Sequence, residues 1–272
     1  MSSVSSVSKL LLALALCAGV AAAQTPDYKP VPGQPGKDVV WIPTPNDVVE
    51  KMLDMAHVTS ADTVIDLGSG DGRNVIQAAK RGANALGVEY NPDLVALSKR
   101  AAAAAGVSDK ATFVHGDMFE ADISQATVLM LFILPDHLKR LTPKFLQLKP
   151  GTRIVSNTYG IGQGWEPDAT TRGEPCLSWC VAQMYVVPAK AAGTWQLADG
   201  STLFLDQRYQ KLSGTLVEYG IELPIENGHL NGEEISFTAN RVRYTGRVSD
   251  GAIRGVAKGF TTREWSAIRA AE

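Results

Sequence analysis

Asp66, Glu89 and Asp117 each stand at or just past the end of a short apolar run, where side chains can act on a common ligand. Between the first two lies Gly68-Ser69-Gly70-Asp71-Gly72-Arg73, with glycines at alternate positions leading into a helical pattern. Such glycines let a backbone turn tightly and approach a ligand with no Cβ in the way. The spacing departs from the dinucleotide fingerprint, whose third glycine falls where Arg73 stands. Asp66 would repel a pyrophosphate but attract a cationic sulfonium that carries an ammonium group. Glu89 is placed to accept hydrogen bonds from both hydroxyls of a ribose, and Asp117 from an adenine amino group, with Met118 and Phe119 as apolar walls. Each acid alone is well explained as a solvated strand end. Three at successive strand ends beside a glycine loop indicate a ligand site.

The elements that must position these residues alternate. Strands are expected over 63–67, 85–89, 111–114, 127–132 and 152–157, with helices over 73–80 and 92–105 and a broken helical stretch around Pro143. Strand–helix alternation at this spacing predicts an α/β fold, a buried parallel sheet with helices on both faces. An earlier helix follows Thr44, which is placed to cap it, with Pro45 at its first position and Val48, Val49, Met52, Leu53 and Ala56 on its apolar face. After about residue 193 short strands are separated by turn signals such as Asn231-Gly232 and Asp250-Gly251, which predicts an antiparallel β-rich segment, a small sheet or partial barrel. The expected organisation is a signal peptide over 1–23, a mobile Pro/Gly-rich linker over 24–38, a principal domain over 39–192 and the β-rich segment over 193–272.

The signal peptide rests on Lys9, the apolar run from Leu10, and Ala21-Ala22-Ala23, with cleavage expected before Gln24 and a periplasmic or secreted product. The run is too short to span a bilayer comfortably, so no stable membrane span is expected after cleavage. With Lys9 removed, 25 basic face 28 acidic residues, a net charge of −3 that gives no footprint for nucleic acid. Cys176 and Cys180 then remain, either bridged across a turn or as two small buried thiols. His57, His115, His137 and His229 lack triad or metal spacing, and no metal is expected.

Ile42-Pro43-Thr44, the run from Asp66 to Arg73, Gly87-Val88-Glu89, Asp117-Met118-Phe119 and Gly164-Trp165 together carry a family resemblance. Residues 41–165 resemble the class I S-adenosylmethionine-dependent methyltransferases, with their Rossmann-like sheet. More narrowly, they resemble the mitochondrial protein-lysine methyltransferases that act on ATP synthase c-subunit and adenine nucleotide translocase, and their bacterial relatives. The resemblance implies S-adenosylmethionine as cofactor, with Asp66, Gly68 and Gly70 along its methionine part, Ser69 and Asp71 in the same loop, Glu89 on the ribose and Asp117 with Met118 at the adenine. It also implies that Thr44 closes over the site. The sequence departs from amino-methylating enzymes of adenine or glutamine, since Phe132-Ile133-Leu134-Pro135 replaces their Asn/Asp-Pro-Pro-Tyr signature. No residue is marked as a catalytic base. The acceptor is expected to be a lysine side chain on a protein or else a small molecule, with Tyr159 and Trp165 as candidates to line its channel. An exported, non-catalytic nucleoside-binding protein is the alternative of another class.

Overall fold

The computed structural model describes residues 28–271, so the expected signal peptide lies outside the described residues. In chain order the elements are α1 (Asn46–Met55), β1 (Thr63–Leu67), α2 (Arg73–Lys80), β2 (Asn84–Glu89), α3 (Pro92–Ala104), β3 (Ala111–His115), β4 (Val128–Leu131), α4 (Pro135–Phe145), β5 (Arg153–Asn157), β6 (Ala169–Arg172) and β7 (Val181–Val186). The β-rich part follows with β8 (Gly193–Leu197), β9 (Thr202–Arg208), β10 (Lys211–Glu218), β11 (Ile221–Pro224), β12 (Glu226–Asn231), β13 (Glu234–Ala239), β14 (Val242–Ser249), β15 (Ala252–Lys258) and β16 (Thr262–Arg269).

The first sheet has the order β3-β2-β1-β4-β5-β7-β6. Its first five strands are parallel, while β7 and β6 extend it antiparallel. Alternation along β1 sends Val64 to one face, with the apolar stripes of α1, α2 and α3, and Ile65 and Leu67 to the other, with Leu138, Leu141 and Phe145 of α4. Chain order reverses at β1, where β2 lies on one side and β4 on the other. A crevice opens at the carboxyl ends of strands at such a switch point.

The second sheet runs β11-β10-β12-β13-β14-β15-β16-β8-β9, and a further pairing of β10 with β9 closes eight of these strands into an antiparallel ring. Eight strands enclose a space that side chains alone can fill. Here Trp195, Leu203, Phe237, Tyr244 and Trp265 fill it, with Phe237 stacked on Tyr244 at 4.8 Å between ring centres.

The two units share a wall. Trp165 stacks on Tyr209 with ring centres 5.1 Å apart and planes 7° from parallel. Around it Lys211 pairs with Glu166 at 2.6 Å, Gln210 Nε2 donates to the Glu166 carbonyl, and the Ala189 N–H donates to the Gly232 carbonyl. Trp165 is therefore buried and does not line an acceptor channel, because its ring is committed to this wall.

Candidate functional site

The loop between β1 and α2 has glycine where glycine is required. Gly70 has φ +55°, and a Cβ there would lie 2.6 Å from Trp41 Nε1. Gly72, at φ +80°, is crowded by Phe113 and Ser98. Four of the loop's own donors are already taken: the Gly68 and Ser69 N–H groups both point to the Val88 carbonyl, Gly70 N–H donates to Glu89 Oε2 at 2.9 Å, and Gly72 N–H returns to the Ser69 carbonyl. A phosphate cradle needs such donors free. This loop instead brings its carboxylates to the ligand.

Asp66, at the end of β1, is 2% exposed. Burial pushes its carboxyl up to about 7, the nearby Glu89 and Asp71 carboxylates add to the rise, and the Asn74 amide, donating at 3.1 Å, opposes it. Asn74 Oδ1, on that same amide, is buried without a hydrogen-bond partner, as is Ser69 Oγ, which lies over Gly87. An unsatisfied acceptor beside a reluctant carboxylate calls for a donor-rich cation. The ammonium of an amino acid meets that need, so the residues fit the methionine end of S-adenosylmethionine.

Two compartments adjoin here. The smaller holds Thr44, Asp66, Ser69, Gly70, Asp71 and Asn74; the larger holds Glu89, Tyr90, Asp117 and Met118. Trp41, Ile42, Gly68 and Phe132 line both. Glu89 is oriented by the N–H groups of Gly70 and Asn91, one on each oxygen. Asp117 accepts from the Phe119 N–H and from Lys37 at 2.5 Å, and the Lys37 bond holds its carboxyl below the usual range. Lys37 also sits 4.5 Å over the Tyr90 ring.

Lys37 belongs to the stretch expected as a mobile linker, and Trp41 lies three residues past its end. Its described part folds back over the crevice instead, with Gly33 N–H bonded to the Trp41 carbonyl and Trp41 N–H to the Gln34 carbonyl. The proline and glycine content that suggests a linker serves here to turn this strap. The sequence did not bring out Lys37, Trp41, Asn74 or Phe132. An isolated tryptophan three residues before Thr44 was the one available signal.

Two further expectations need correction. Thr44 does not cap α1: the N-cap is Pro45, with ψ 140°, and no side chain bonds the helix start. Thr44 is buried and in contact with the Asn157 amide, while its carbonyl accepts from Arg73. Phe119 turns away from the crevice, with Arg140 3.7 Å over its ring, and leaves Met118 as the wall. Asp71 is engaged by Arg73 at 2.6 Å.

Known proteins agree with this geometry. Residues 66–169 match the ANTKMT methyltransferase domain family. A protein-lysine N-methyltransferase of Saccharolobus islandicus is 42% identical over 152 residues, which are 55% of this chain and 94% of that one. The Mus musculus lysine N-methyltransferase of the ATP synthase c-subunit is 35% identical over 48% of this chain and 53% of its own length, so the chain spans only about half of that relative. A crystal structure of an RNA methyltransferase from Salinibacter ruber with S-adenosyl-L-homocysteine is 43% identical, with a TM-score of 0.51, over 55% of this chain and 96% of that one. Fold and site define a class I S-adenosylmethionine-dependent methyltransferase. The chain belongs to the protein-lysine N-methyltransferase family that these relatives represent.

Proposed function

We propose that the protein is an exported enzyme that methylates a lysine side chain on a protein. The observation that carries the lysine is the Saccharolobus relative, named for that activity and similar over nearly its whole length. The Salinibacter protein is named for RNA, but this chain's net charge of −2 offers no basic footprint for a polyanion.

Bound S-adenosylmethionine supplies a methyl group on a sulfonium that is already a good leaving group. The protein's task is then alignment and exclusion of water. Asp66 would hold the ammonium, Glu89 the ribose hydroxyls, and Asp117 with Met118 the adenine, while the strap with Lys37 and Trp41 covers them. Gly68, Ser69, Gly70 and Asp71 shape the loop, and Thr44 with Asn157 forms a buried pair at its far side. A lysine must lose its proton before it attacks, and apolar surroundings lower its pKa. Phe132, which lines both compartments, supplies such a surface.

Export is supported by the apolar run after Lys9 and by a disulfide between Cys176 and Cys180, a bond characteristic of oxidising compartments. Incubation with labelled donor and a cell-envelope extract, followed by peptide mapping, is expected to place label on lysine. Label confined to small molecules would overturn the protein acceptor. N-terminal sequencing of periplasmic material is expected to begin near Gln24; Met1 in a cytoplasmic fraction would overturn export.

A further inference from the structure

Phe132, which lines both compartments, belongs to a group of three aromatic rings whose other two members line neither. Phe132 follows β4, Tyr159 lies just past β5, and Trp179 precedes β7. Strand register brings them together: Leu131 pairs with Ser156, and Asn157 with Ala182. Ring centres are 6.3 Å apart for Phe132 and Tyr159, 5.8 Å for Phe132 and Trp179, and 6.1 Å for Tyr159 and Trp179. All three side chains are half-buried, none belonging to the sealed core.

Their position relative to the reaction follows from the two compartments. A ligand with its nucleoside in one and its amino acid in the other has its sulfur at the residues common to both, and Phe132 is one of these. The ring group thus extends from the point of methyl transfer outward to solvent. At its outer end is a short turn closed by the Cys176–Cys180 disulfide, with Cα atoms 5.6 Å apart. Trp179, inside this turn, has φ +59°, a left-handed conformation that a bulky residue adopts only when its surroundings impose it. Cys180 is buried, and its carbonyl accepts the Gly173 N–H at 2.8 Å, which anchors the turn, while Leu177 at its tip is fully exposed.

We infer that Trp179, held by the disulfide-closed turn, completes with Phe132 and Tyr159 an aromatic wall that receives the acceptor lysine. Ring faces attract an ammonium, and methylated ammonium groups are recognised by grouped aromatic rings. The wall draws the lysine head group toward the transfer point, and the disulfide fixes the ring that lies farthest out. This inference rests on the lysine reading above.

The test titrates cell-envelope extract against the full-length oxidised protein with labelled S-adenosylmethionine, reading initial label on lysine. Donor-site integrity is measured separately by calorimetry with S-adenosylhomocysteine. Trp179→Ala is expected to raise the half-saturating extract concentration by about tenfold with S-adenosylhomocysteine affinity unchanged. Trp179→Phe, which keeps a ring, is expected to recover most of that loss. The Cys176→Ser/Cys180→Ser double variant should shift half-saturation in the same direction as Trp179→Ala. Wild-type half-saturation in Trp179→Ala would overturn the wall while the lysine reading stands. Loss of S-adenosylhomocysteine binding in both Trp179 variants would overturn it by assigning the ring to the donor site. Wild-type label on a group other than lysine would remove the lysine reading and the wall with it.

Discussion

At the scale of single residues, charge and burial make firm demands. Glu89 orders the glycine loop through Gly70 and is also placed for the ribose. Glu89→Ala is therefore expected to lower S-adenosylmethionine affinity roughly ten- to hundredfold, the equivalent of about 1.5–3 kcal/mol for a charged hydrogen bond. Calorimetry checks this, and unchanged affinity would refute the ribose assignment. Asp66 gives a pH dependence whose sign can be worked out. Its carboxyl is raised to about 7 from an ordinary 3.8. Below about pH 4 folded and unfolded chains are both protonated there, and the group contributes nothing. Between about pH 4 and 7 the unfolded chain loses the proton while the native state keeps it, so this group's effect on the ligand-free protein becomes increasingly destabilising. A bound ammonium favours the ionised form. Binding below pH 7 should then release a proton, and affinity for S-adenosylhomocysteine should rise from pH 5.5 to about 7 and level off. Calorimetry in buffers of different ionisation heat measures that release; Asp66→Asn should abolish both the release and the slope.

Among elements, the loop and the strap are matched parts. Gly70→Ala would impose a side chain at φ +55° and push it against Trp41 Nε1. The backbone cost is roughly 1–2 kcal/mol, and the larger effect is displacement of the strap. At least a tenfold loss of donor affinity is expected, with a fall in melting temperature of only a few degrees; a variant that binds normally would show that the strap does not cover the ligand. The glycine loop and the five parallel strands were legible because alternate glycines and unbroken apolar runs have few other readings. β6, β7, β8, β11, β12 and β16 were not. In β7 the side chains alternate only partly between buried and half-buried positions, and β12 carries Asn227-Gly228, a turn signal absorbed here as a register shift within the strand. The strap was hidden for a different reason. Its contacts are with Asp117 and Tyr90, far along the chain, and local pattern does not reveal such partners. Asp66, Glu89 and Asp117 could be placed near one another because each stands at or just past the end of a strand. The ring group at Phe132, Tyr159 and Trp179 depends on strand register, which composition does not encode.

For the molecule as a whole, the wall at Trp165 and Tyr209 couples two units that have separate cores. Tyr209→Ala is expected to remove about 2 kcal/mol from that wall and to split a single calorimetric melting transition into two. One unchanged transition would show that the polar contacts around Glu166 suffice. The ring of eight strands has its own weak place. β10 meets β9 over seven paired positions, from Lys211 to Val217, but meets β12 at only two, Lys211 with His229 and Leu212 with Gly228. Beyond those two, the same edge of β10 pairs with β11 instead. A closed sheet opens where fewest rungs must break, so this seam should act as a latch, and its opening would leave the other strands in register. Amide protons of β12 are then expected to exchange with deuterated solvent ahead of those in β14 and β15, at a rate that reports on the latch rather than on global unfolding.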